Sequence, residues 1–65
     1  MKRTIVNMDY FLETMAADVV AEALENFYNE EDDGSGIIVS NYDDNGYCIF
    51  KQVEGDIYKF TGTAK

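Results

Sequence analysis

The chain reads as an α+β protein: one long N-terminal helix packed on a three-stranded antiparallel meander, in the order α-β-β-β. Three observations predict this. Apolar residues recur at three- and four-residue steps from Met8 to Asn29, the spacing of one helix face. From Gly36 the apolar period changes to two, the spacing of half-buried strands. Asp43-Asp44-Asn45-Gly46 and Glu54-Gly55-Asp56 then divide the remainder into three strands, because both stretches carry the residues that tight turns require.

Residues 2–7 are a short strand or an arm. Thr4-Ile5-Val6 has β-branched composition, which suits a strand. Asn7 is a candidate N-cap, and Asp9 suits the positive end of a helix dipole. The helix over 8–29 has no internal glycine or proline and carries alanines at 16, 17, 21 and 23, all strong helix formers. At about 1.5 Å per residue it would be a rod roughly 33 Å long. Its apolar side holds Met8, Phe11, Leu12, Met15, Ala16, Val19, Val20, Ala23, Leu24 and Phe27, and its other side Asp18, Glu22, Glu25 and Asn29. Glu30-Glu31-Asp32-Asp33 stands at the helix end where cations would be preferred. Asp33-Gly34-Ser35-Gly36 supplies the turn into the first strand. The strands are Ile37–Tyr42, Tyr47–Val53 and Ile57–Thr61, and residues 62–65 are expected to fray.

If the second turn is a three-residue loop, Ile37, Val39, Cys48, Phe50, Tyr58 and Phe60 share one side and form the floor for the helix. Ile38, Tyr42, Tyr47, Ile49, Val53 and Ile57 then share the other with Ser40, Lys51 and Lys59. A two-residue turn would move the third strand's residues to the opposite faces. In either case apolar surface is left over. That points to a homodimer or a docking site, unless the N-terminal arm folds across it.

Sixty-five residues make a single domain, 1–65. A chain of this size buries only about 60% of its unfolded surface, so its stability margin is thin. One cysteine allows no internal disulfide and fits a reducing, cytoplasmic setting. Cys48 itself suits a small buried position, since a reactive thiol wants basic neighbours. No signal peptide is visible, and no run approaches the roughly 18 apolar residues of a membrane span.

Chemistry-bearing motifs are few. Asn41-x-Asp43-x-Asn45-Gly46 matches the start of a calcium loop, but its last position falls on Gln52 instead of glutamate. Asn29-x-Glu31-x-Asp33-Gly34 fails in the same way at Ser40. There is no histidine, no nucleophile–base constellation and no glycine-rich phosphate loop. The expectation is a non-enzyme with no cofactor and no metal.

Charge is the feature that rises above this background. The chain carries thirteen acids against five bases, a net charge of −8. Between Thr4 and Phe50 there are eleven acids and no lysine or arginine. Direct nucleic-acid binding is disfavoured, because affinity for phosphates comes from basic side chains. A basic partner is favoured instead. Asp18, Glu22 and Glu25 step along the helix by about 4.5 to 6 Å, Glu30, Glu31, Asp32 and Asp33 extend the line, and Asp43 and Asp44 form a second cluster. Phosphates along one nucleic-acid strand recur every few Å of axial rise. Tyr28 and Tyr42, with Tyr10, Phe11 and Tyr47, are candidate aromatic anchors.

In size and in the placement of these acids the chain resembles the small acidic inhibitors that bacteriophages encode against host nucleic-acid enzymes: anti-restriction, anti-CRISPR and uracil-glycosylase-inhibitor proteins. The resemblance rests on charge layout and not on a motif, so no residue roles are carried over. It implies a DNA-mimic inhibitor acting in the host cytoplasm on a nucleic-acid-processing protein. The rival expectation is a homodimeric structural or assembly module whose acids only confer solubility.

Overall fold

The computed structural model describes residues 3–43 and 46–64. Its elements are β1 (Thr4–Val6), α1 (Met8–Thr14), α2 (Ala17–Asn29), β2 (Ile37–Asp43), β3 (Gly46–Glu54) and β4 (Ile57–Ala64). The architecture is α+β, with two helices and a four-stranded sheet in the order β1-β4-β3-β2. The single helix and the three-stranded meander of the sequence reading both require correction.

The rod is broken at Met15 and Ala16, whose backbones are extended (φ −127°, ψ 148° and φ −67°, ψ 150°). No glycine or proline causes the break; the core does. The rings of Phe11 and Phe27 both touch Phe50, at centroid separations of 5.6 and 4.3 Å. On one straight helix those residues would stand about 24 Å apart, too far to share a single ring. Burying both phenylalanines outweighs two lost helical residues, each worth well under 1 kcal/mol in propensity. A 33 Å rod would also overrun the molecule, whose longest Cα extent is 28 Å. Thr14 closes the first helix by donating its hydroxyl to the Tyr10 carbonyl at 2.9 Å.

Ala16 begins the second helix without a side-chain cap. Because its dihedrals are those of an N-cap, Ala16→Ser should stabilise the protein by about 0.5 to 1 kcal/mol. A continuous helix would be weakened by the same change. Urea denaturation of the single variant reads the sign.

The N-terminal segment is a strand, not an arm folded over the sheet. β1 pairs with β4 in parallel, Ile5 opposite Tyr58, and Ile5 joins the core. Asn7 then turns the chain in the left-handed region, φ 69°, which asparagine tolerates better than most residues. Its side chain donates to the Phe60 carbonyl at 3.4 Å and does not cap α1.

The hairpin expected around 43–46 is present as the β2–β3 pairing, with Asp43 opposite Gly46; its tip lies outside the described residues. The second turn has two residues, Gly55-Asp56, since Glu54 pairs with Ile57. A bulge between Gln52 and Glu54 restores the face that this shorter turn would have reversed. Tyr58 and Phe60 therefore reach the core beside Cys48 and Phe50. The expected fraying is absent through Ala64, which still pairs with Tyr47.

β2 is one residue out of phase with its expected face. Ile38 and Ser40 are buried, while Ile37 and Val39 are 40% and 47% exposed. Ser40 donates its hydroxyl to the Ala23 carbonyl, so the buried hydroxyl is satisfied. Two small residues in contact also let α2 lie close on the strand. Both helices thus cover one sheet face, where Phe11, Val20, Ala23 and Phe27 meet Ile5, Ile38, Cys48, Phe50, Tyr58 and Phe60. The other face is uncovered.

Candidate partner-binding surface

The stripe on α2 is present as the sequence places it. Asp18, Glu22 and Glu25 are all exposed. At 100° per residue they point about 180° away from the buried row Val20, Ala23 and Phe27. They therefore face outward from the helix layer, clear of the sheet. Asp18 also lies in the first turn of α2, where a negative charge is favoured by the helix dipole. Lys51 and Lys59 are cross-strand partners in β3 and β4. They share the uncovered sheet face, on the far side of the molecule from the stripe.

The acids after the helix divide into two groups. Glu30 and Glu31 are exposed and extend the negative surface. Asp32 and Asp33 instead build the loop. Asp32 accepts hydrogen bonds from the amides of Gly34 at 2.9 Å and Gly36 at 3.1 Å, and from the Tyr58 hydroxyl at 2.8 Å. Asp33 accepts from the Ser35 amide at 3.0 Å. The Tyr58 hydroxyl first, then the two amides, hold the Asp32 carboxyl below the usual carboxylate range. The Ser35 hydroxyl and amide do the same for Asp33. Burial and the Asp32 carboxylate push the Tyr58 phenol up. Asp32 is tied into the fold, whereas Asp33 makes one turn bond and stays exposed.

The adverse charge at the end of α2 is met from outside the local sequence. The Arg3 guanidinium donates to the carbonyls of Phe27 and Glu30 and lies 5.3 Å from the Phe27 ring centroid and 5.9 Å from that of Tyr58. It supplies the cation that a helix C-terminus favours.

Asp43 is placed in the last position of β2 by its backbone, and Asp44 lies outside the described residues. Tyr28 and Tyr42 are half-buried against the core. Tyr28 packs edge-on to Phe27 at 5.3 Å, and Tyr42 lies over Gly46, where a Cβ would collide with its ring. Phe11 is wholly buried and is no anchor. Tyr10 and Tyr47 remain on the surface, 50% and 42% exposed. Asp9 and Glu13 on α1, which were not among the expected partner contacts, are exposed too.

Cys48 is buried, and burial pushes its thiol up to about 11, which suits packing and not nucleophilic chemistry. A groove lined by Tyr10, Thr14, Met15, Phe60, Gly62 and Thr63 encloses about 90 Å³, far less than a small-molecule site of several hundred Å³. Among the described residues no group of three or more acids or cysteines is gathered to hold a metal ion, and no helix is long and apolar enough to cross a membrane.

Comparison with protein-family models, with curated proteins and with solved structures gives no match.

Proposed function

We propose that this protein is a non-enzymatic inhibitor or regulator that binds the basic, nucleic-acid-binding surface of another protein, partly by presenting nucleic-acid-like charge. The supporting observation is the outward row Asp18, Glu22 and Glu25 on α2, prolonged by Glu30 and Glu31 and separated from Lys51 and Lys59 by the thickness of the fold. Such a row draws its binding strength from charge pairing and counterion release, as nucleic acid does. Mixed-sign surfaces, which suffice for solubility, do not segregate charge this way.

The test is capture of nucleic-acid-binding proteins from a bacterial lysate, with elution by salt and by duplex DNA. Retained proteins should be released by either. The triple variant D18N/E22Q/E25Q should bind at least about tenfold more weakly. Its thermal stability should change little, because relieved repulsion at Asp18/Glu22 and Glu22/Glu25, a few tenths of a kcal/mol each, offsets the lost dipole contact of Asp18. Capture that DNA does not displace, and that the triple variant retains in full, would refute the reading.

The uncovered sheet face favours a second reading, a homodimeric assembly module. Val6, Ile37, Val39 and Tyr47 stand 44%, 40%, 47% and 42% exposed there. Sedimentation separates the two: this reading requires a tight dimer whose function survives the triple variant.

A further inference from the structure

β2 is an edge strand of seven residues, and its hydrogen-bonding pattern determines what that edge offers. The Gln52 amide donates to the Gly36 carbonyl at 2.7 Å, and Ile37 is opposite Lys51. In an antiparallel ladder this makes Ile37–Lys51 a non-hydrogen-bonded pair. Ile38 and Ser40 then bond toward β3, while the amides and carbonyls of Ile37, Val39 and Asn41 point away from it. The two ends of that outward row are already occupied: the Ile37 amide donates to the Ser35 hydroxyl at 3.2 Å, and the Asn41 carbonyl accepts from the Asn26 side chain. Among the described residues, the Ile37 carbonyl, both Val39 groups and the Asn41 amide are left without a partner between them, a row of four that matches one incoming strand.

Native edges are usually blunted by lysine, proline or an inward charge. Over residues 37–42, Ile-Ile-Val-Ser-Asn-Tyr, this one carries none of these; its charge and its register irregularity come only at the far end, at Asp43. The two sides of the edge also differ in chemistry. On the uncovered face stand Ile37 and Val39. On the helix side Asn26 reaches the edge itself, and Glu22, one turn earlier on α2, lies on the same flank.

We propose that the free edge of β2 receives an extended segment of the basic partner, in which apolar residues alternate with lysine or arginine. The residue opposite Val39 lays an apolar side chain against Ile37 and Val39. Its two neighbours turn toward α2 and meet Glu22 and the acids around it. This deepens the charge-based reading and rests on it, adding backbone pairing as the source of register. A second copy of the chain is the poorer occupant. Each copy carries a net charge of −8, and pairing two β2 edges would bring two acidic α2 flanks together.

The probe is a nine-residue peptide alternating valine and lysine, compared with a block isomer of the same composition and with a form N-methylated on its pairing amides. The alternating peptide should bind at least tenfold more tightly than either control. It should also slow hydrogen exchange at the Val39 and Asn41 amides. Val39→Pro, which removes an outward amide and no ladder bond, should abolish that preference; if this variant fails to fold, the N-methylated peptide carries the same test. Equal, salt-sensitive binding of all three peptides without protection at Val39 and Asn41 would overturn the edge while leaving the charge-based reading intact. Failure of every cationic peptide to bind would overturn both. Concentration-dependent protection of the same amides without peptide would assign the edge to a second copy and overturn the proposal.

Discussion

Phe50→Ala should remove at least about a third, and up to all, of the protein's folding stability at 25 °C. Phe50 is fully buried in β3, one of the two inner strands, with the rings of Phe11, Phe27 and Phe60 at 5.6, 4.3 and 5.5 Å. Truncating such a side chain costs about 3 to 5 kcal/mol, the lost transfer energy plus the cavity left behind. A 65-residue domain has only about 3 to 10 kcal/mol in all. The loss should be large because this ring is the common contact of both helices. Its removal takes away the reason for the bend at Met15-Ala16, and the site cannot collapse without moving α1 and α2 together. Phe50→Leu should retain the fold at a cost of about 1 to 2 kcal/mol. Circular dichroism and urea denaturation of the pair decide it; a loss under about 1.5 kcal/mol for the alanine variant would mean that the helices hold each other without this ring.

Arg3→Met should cost about 2 kcal/mol, far more than loss of a surface cation ordinarily does. It keeps the apolar stem but removes two charge-assisted hydrogen bonds to the end of α2 and the stacking over Phe27 and Tyr58. Hydrogen bonds from charged donors contribute about 1.5 to 3 kcal/mol each when buried, less here because the Glu30 carbonyl is exposed. Arg3→Lys should recover less than half, as an ammonium cannot fork to two carbonyls while lying flat on a ring. Lys59→Met, on the uncovered face, should stay within about 0.5 kcal/mol of the parent. Equal thermal shifts for Arg3→Met and Lys59→Met would show that Arg3 is only a surface charge.

These two residues also mark where the sequence is informative. Periodicity found the helical region, the hairpin and the phase of β3, because each is a local pattern of apolar and turn residues; the phase of β4 hung on the second turn, and the bulge between Gln52 and Glu54 decides it. The bend between α1 and α2 has no local signal: Glu13-Thr14-Met15-Ala16-Ala17 suits a helix well, and only the position of Phe50, more than thirty residues later, requires the break. The face of β2 was equally hidden. Ile37-Ile38-Val39 is apolar on both sides, and burying Ser40 contradicts its usual surface preference until the Ala23 carbonyl is found beside it. Among the acids, sequence identifies exposed charge on a helix, where the period fixes direction. It does not separate Glu30 and Glu31 from Asp32 and Asp33, since the partners of Asp32 include Tyr58, 26 residues away.

The parallel pairing of β1 with β4 carries a consequence for biogenesis. Thr4 lies opposite Ile57, so β1 has no neighbour until synthesis has passed through both helices, the hairpin and β4. Closing so long a loop is entropically costly and belongs late in assembly. The nascent protein therefore passes through a stage in which the β2–β3 hairpin and α2 can associate, while β4 exposes a vacant margin awaiting β1.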